Sequence, residues 1–174
     1  MMCMPARRIL ELGDPMLREV SRPAVHPHQT RLILRDLRAT LADFRRRHGF
    51  GRGISAVQIG EPVRIIYIEF EGAAYSLVNP QWESLSRDKL RLWDDCFSFP
   101  DLLVYLERSR AVSLSYHDPD GNLRRLEAAG ALAELLQHEM DHLEGVLAVD
   151  RALDRMSLAT RSEYERRYKQ ASRL

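Results

Sequence analysis

Apolar residues recur at helical spacing in two places along the chain. Over residues 29–48, Leu34, Leu37, Leu41 and Phe44 share one face and Gly49 supplies a stop, which predicts a long amphipathic helix. Over residues 131–143, Leu132, Leu135, Leu136, Met140 and Leu143 do the same ahead of Gly145, which predicts a second. The remaining apolar runs suit strands. Residues 63–70 form one, and residues 73–78 form another that ends at Asn79-Pro80. Residues 111–116 and 123–128 flank His117-Asp118-Pro119-Asp120-Gly121-Asn122, a turn sequence that joins them as a hairpin. A charged stretch over residues 83–91 leads into residues 93–100, where no clean period survives and an irregular or edge strand is expected. The polar segment 151–174 is expected to be a surface helix. Residues 49–53 read as a loop whose three glycines permit tight turns or close approach to a ligand.

This pattern predicts an α+β fold, with mostly antiparallel strands packed around a central helix. No repeat or linker divides the sequence, and 174 residues with 45% hydrophobic content suit a single domain over residues 1–174. Charge narrows the partners. A formal net charge of +1 recommends neither sequence-specific nucleic-acid binding nor an anionic membrane. The tail from Arg151 onward holds seven basic and three acidic residues, a modest excess that suits a solvated helix face. The opening residues lack the apolar core of a signal peptide, and no apolar run reaches the roughly 18 residues needed to span a bilayer. With only Cys3 and Cys96 present, and Cys3 near a terminus, a structural disulfide is disfavoured. A soluble protein of the reducing cytoplasm is expected.

Chemistry concentrates at His138-Glu139-Met140-Asp141-His142. On a helix, His138 and His142 stand one turn apart on one face, so both rings can reach a single metal with Glu139 beside them. A catalytic divalent site usually takes three protein ligands and keeps a fourth position for water. Cys96, flanked by Trp93, Phe97 and Phe99, is the stronger candidate for the third ligand and Cys3 the weaker. Two alternatives stand beside this: Cys96 as a small buried hydrophobe, and an unrelated protease whose third ligand is His or Glu. His26, His28, His48 and His117 fall in loops or at a helix end and receive no role.

Three separated motifs resemble those of the peptide deformylases, the hydrolases that remove the formyl group from N-formylmethionine of new polypeptides. Gly51-Arg52-Gly53-Ile54-Ser55-Ala56-Val57-Gln58 resembles the family's G-x-G-φ-A-A-x-Q, and Asp94-Asp95-Cys96-Phe97-Ser98 resembles E-G-C-φ-S. The run from Gln137 to Gly145 matches Q-H-E-x-D-H-φ-x-G throughout. Gly13-Asp14-Pro15-Met16-Leu17-Arg18, Val78-Asn79-Pro80 and Arg108 extend the likeness over nearly the whole chain.

The resemblance implies that Cys96, His138 and His142 are the metal ligands and that Glu139 takes a proton and returns it to the leaving amine. It implies Fe(II) as the expected ion, with zinc or nickel accepted. The Gln58 amide and the Phe97 backbone N–H become the donors to the developing oxyanion. Gly53, Ile54, Asp95 and Leu135 are implied to line the substrate channel, with the methionine side chain in an apolar pocket beside the metal helix. The expected partner is an N-formylmethionyl peptide, with a transient ribosome contact. Two departures stand out: Asp94-Asp95 replaces the family's Glu-Gly, and Ser55 replaces an alanine. Asp94 keeps the charge for an ion pair with Arg108. Asp95 adds a Cβ and a carboxylate near the site mouth, which motivates an alternative hydrolase acting on another N-acyl substrate. A non-catalytic, metal-bearing, ribosome-associated protein is the alternative from outside enzymology.

Overall fold

The structure, a computed structural model, describes residues 6–169. Cys3 and the last residues of the expected C-terminal helix lie outside the described residues. The first helix, α1, spans Pro27–His48; Pro27 suits its first turn, and Gly49 ends it in the left-handed conformation at φ 77°. Leu34, Leu37, Leu41 and Phe44 are all buried, as their spacing requires. They pack with Ile54, Ile65 and Tyr67 in one core cluster.

Five antiparallel strands form the larger sheet in the order β1-β2-β3-β6-β7. They are β1 Gly53–Ser55, β2 Ile65–Phe70, β3 Ala73–Leu85, β6 Ala111–His117 and β7 Leu123–Ala129. A smaller antiparallel sheet, ordered β4-β5-β8, comprises β4 Lys89–Asp95, β5 Leu102–Ser109 and β8 Leu158–Thr160. Between the sheets runs α2, Ala131–Leu143, with every residue from Ala133 onward buried. Its apolar face, Leu135, Leu136, Met140 and Leu143, packs with Ile66, Ile68, Leu77, Val112 and Leu114 of the larger sheet. A helix buried all round must pair its polar side chains internally. Gln137 does so by exchanging two hydrogen bonds with the backbone of Ser109, at 2.8 and 2.9 Å.

The α+β expectation holds, but several elements differ. β3 runs straight through Asn79-Pro80. Pairing with β2 stops at Val78, and Pro80 falls in the register shift between Val78 and Gln81 against β6, so its missing N–H interrupts no ladder bond. The loop expected at 49–53 closes into β1 at Gly53. β4 is the expected edge strand only as far as Asp95. β5, not anticipated, pairs with it along its whole length. The segment from Arg151 is not one helix: β8 adds to β5, the short helix α3 Arg161–Tyr164 follows, and a π-type turn covers Glu165–Lys169. Trp93 of β4 fixes this path, with the rings of Tyr164 and Tyr168 5.6 and 5.0 Å from its own.

Candidate metal centre and adjoining cavity

β4 ends at Asp95, and the turn that follows delivers Cys96 against the polar face of α2. Its Sγ lies 3.3 Å from His142 Nε2, which in turn lies 3.2 Å from His138 Nε2. All three side chains are buried, and their donor atoms lie within 4.8 Å of one another. One thiol sulfur and two imidazole nitrogens form a donor set suited to a small divalent transition ion. Supporting groups strengthen the fit. His138 Nδ1 meets the Asp94 carboxylate at 2.9 Å, which turns Nε2 toward the cysteine, the arrangement that orients metal-bound imidazoles generally. Burial works against charge on Asp94, but His138 and Arg108 outweigh it and hold its carboxyl down at about 2. For His142, burial and then the neighbouring His138 push the pKa well below the usual value, favouring the neutral form that ligates. Its Nδ1 is buried with no partner among the described residues.

The expected Asp94–Arg108 ion pair is present at 3.0 Å and buried on both sides. Arg108 also bonds Asp141, which Arg151 grips in turn at 2.5 Å. Asp141 had no assigned part. It anchors the far side of the helix to β5 and to the C-terminal segment.

Glu139 adjoins the ligands. Burial pushes its carboxyl up to about 7, the range in which a group can accept and return a proton near neutrality. The Ser55 hydroxyl lies 2.6 Å from Oε2 and 3.0 Å from the Glu139 carbonyl oxygen, so the serine in place of alanine supports the carboxylate. Gly53 passes so close that a Cβ there would fall 2.8 Å from Glu139 Oε1. Gln58 sits in the short 3-10 turn Ala56–Ile59. Its Oε1 accepts the Ser55 N–H at 3.0 Å, which turns Nε2 toward Cys96 Sγ at 3.7 Å and Ser98 Oγ at 3.3 Å. Phe97 stacks on Phe44 with ring centroids 3.8 Å apart.

A cavity of ≈ 410 Å³ opens onto this centre, lined among others by Gly53, Gln58, Asp95, Leu135, His138 and Glu139. Ile54 is not in the lining; its side chain is wholly buried against α1. The cavity as a whole is not lined by apolar residues alone. Glu134 reaches into the cavity with its carboxylate 2.7 Å from Arg52, and neither residue was singled out from the sequence. Burial, then the charge of Asp94, raises the Glu134 pKa. Its position was legible in one respect: Glu134 stands four residues before His138, one turn along the ligand row.

Asp95 occupies ordinary strand backbone opposite Leu103. Among the described residues, the non-glycine positions with positive φ are Glu71 and Asn79, so aspartate costs no strain here. Its carboxylate pairs with Arg161 at 2.8 Å. Arg161 also donates to the Pro100 carbonyl at 2.7 Å and lies 4.0 Å over the Phe50 ring. The C-terminal segment is thereby pinned to the rim of the cavity.

The family model for polypeptide deformylase matches residues 6–157. The chain belongs to the polypeptide deformylase family. A peptide deformylase of Mesorhizobium japonicum is 36% identical over 153 residues, 84% of each chain. Among solved structures, the Synechococcus elongatus deformylase in complex with actinonin is 33% identical at TM-score 0.82, covering 90% of this chain and 84% of its own. The Thermotoga maritima enzyme covers 87% of this chain and all of its own at TM-score 0.80 and 28% identity. Members of this family are metal-dependent hydrolases that remove formyl groups from formylmethionyl peptides, and the convergence of Cys96, His138 and His142 accords with that dependence. No helix of the described residues is long and apolar enough to cross a membrane.

Proposed function

We propose that the chain hydrolyses the N-formyl group from the first residue of nascent polypeptides, N-formylmethionine being the family's substrate, with Cys96, His138 and His142 holding one divalent ion. The observation that carries this reading is the meeting of those three buried donors beside a buried carboxylate, Glu139, which together with His138 lines the cavity. We assign Fe(II) first, as the ion the family resemblance implies, with Zn(II) or Ni(II) able to replace it because one thiolate and two imidazoles do not separate these ions sharply by ligand type. The ion, when held, supplies Lewis acidity toward the formyl carbonyl and lowers the pKa of water.

The chain's own groups supply the remaining chemistry. Glu139 takes the proton from water and returns it to the leaving amine. Ser55 holds Oε2, which leaves Oε1 on the Gly53 side for that traffic. Negative charge develops on the carbonyl oxygen, where the Gln58 amide and the Phe97 backbone N–H donate, each such donor contributing about 3 kcal/mol. Ser55 fixes the orientation of the Gln58 amide, which turns its N–H2 edge to the side of Cys96 and Ser98. Gly53, Asp95 and Leu135 border the bound peptide, with Ile54 contributing through its backbone. The setting we assign is the cytoplasm, with a transient contact at the ribosome where nascent chains emerge.

The test is formate release from a formyl-Met-Ala-Ser peptide by anaerobic, Fe(II)-loaded protein beside a Glu139→Ala control of equal metal content. Turnover by the parent and loss of at least about a hundredfold in the control are expected. Equal turnover by both removes Glu139 from the mechanism, and formate from neither refutes the substrate assignment.

A further inference from the structure

We propose that Arg52 and Glu134 set the side-chain specificity of this site, favouring formylated residues whose side chain ends in a hydrogen-bond donor over formylmethionine. The inference rests on the deformylation chemistry proposed above and differs from that reading only in the formylated residue the site prefers.

Glu134, His138 and His142 follow one another at four-residue intervals on α2, so Glu134 continues the ligand row by one turn into the cavity. A carboxylate oxygen of Glu134 lies within 4.8 Å of ligating-type atoms of both His138 and Asp94. Whatever is attached to a formyl group undergoing attack at the centre must fill the space beside this turn. Glu134 has a side chain only 6% exposed, while its partner Arg52 is 43% exposed on the opposite rim. Asp94, Asp95 and Glu139 also border the cavity, Asp94 paired with Arg108 and Asp95 with Arg161.

A methionine thioether entering here strips water from Glu134 and offers no donor in exchange. Arg52 keeps one carboxylate oxygen paired, but the other is then desolvated without a donor, which is costly. A side-chain amide of nearly the same length donates to the second carboxylate oxygen while Arg52 keeps the first. Sites built to receive a hydrogen bond discriminate far more strongly against an analogue lacking it than apolar pockets discriminate by size.

The experiment compares kcat/KM for formyl-X-Ala-Ser peptides with X as glycine, glutamine, methionine or norleucine, using the metal-loaded full chain. The glycine peptide places nothing in the pocket and reports deformylation alone. Glutamine is expected to exceed methionine and norleucine by roughly tenfold or more. In an Arg52→Leu/Glu134→Leu double variant, the ratio of glutamine to methionine is expected to invert. The ratio is read within one preparation, so it does not depend on the variant's overall activity, and the parent series decides the matter if the variant does not fold. Turnover of the glycine peptide with methionine preferred by the parent overturns the specificity inference and leaves deformylation standing. A ratio unchanged in a folded double variant also overturns it. Failure of all four peptides overturns both readings together.

Discussion

Replacing Asp94 with asparagine separates support of the metal ligands from general stability. The side chain is 3% exposed and its carboxylate serves two buried donors, His138 Nδ1 at 2.9 Å and Arg108 at 3.0 Å. Asparagine keeps the volume and one acceptor but turns an N–H2 group toward the other donor. His138 then loses the charge that holds its Nε2 toward Cys96. Removal of such a supporting partner typically costs 10- to 100-fold in metal affinity, about 1.4–2.8 kcal/mol. Fold stability should fall by less than the roughly 3–5 kcal/mol expected when a buried charge loses its only partner, because Arg108 retains Asp141. Zn(II) affinity measured by competition with a chromophoric chelator, beside thermal unfolding of the metal-free protein, distinguishes the two effects. Asp141→Asn is the control, since it disturbs Arg108 and Arg151 without touching a ligand. An Asp94→Asn affinity within about threefold of the parent, or an equal loss in Asp141→Asn, refutes the reasoning.

Three further outcomes are expected. Gln58→Ala should lower kcat by about 10²–10³ while metal content stays at the parent level, checked by steady-state kinetics and metal analysis. Gly53→Ala, with a Cβ 2.8 Å from Glu139 Oε1 and 3.1 Å from Leu135 Cδ1, should displace the carboxylate and reduce kcat more than about tenfold with metal affinity little changed. Gly145→Ala places a Cβ 2.3 Å from the Arg18 carbonyl oxygen at a residue with φ +67°, so a loss of about 1–3 kcal/mol in urea unfolding is expected, with the remaining folded fraction active.

The central helix and the placing of His138 and His142 on one face of it were legible because both follow one local period. Cys96 was legible by motif, since nothing local distinguishes a ligand thiol from a buried small hydrophobe. β5 carries a continuous apolar run, Leu102 to Leu106, that is consistent with a strand or a buried helix segment by periodicity alone, and its pairing with β4 decides between them. β8 has three residues and exists by pairing with Leu102, Leu103 and Val104, a non-local cause that composition does not carry. At the site, the part played by Ser55 is not legible in the sequence because its partner, the Glu139 carboxylate, comes from a distant element. Glu134 shares the ligand row, yet a carboxylate near the start of a helix ordinarily signals favourable interaction with the helix dipole, and only the cavity reveals its other exposure.

The spacing of the centre's members along the chain governs when it can exist during synthesis. Cys96 precedes its partner His142 by 46 residues, Gln58 precedes Cys96 by 38, and Ser55 precedes Glu139 by 84. Closing such loops is an entropic cost recovered only when β4, β5 and α2 dock, and contacts of long range form slowly. An emerging chain that has exposed residue 96 but not residue 138 carries Cys96 without either imidazole of the centre, and one that has exposed residue 142 still lacks the complete centre until the smaller sheet closes over the helix. The complete three-donor centre therefore forms only after docking.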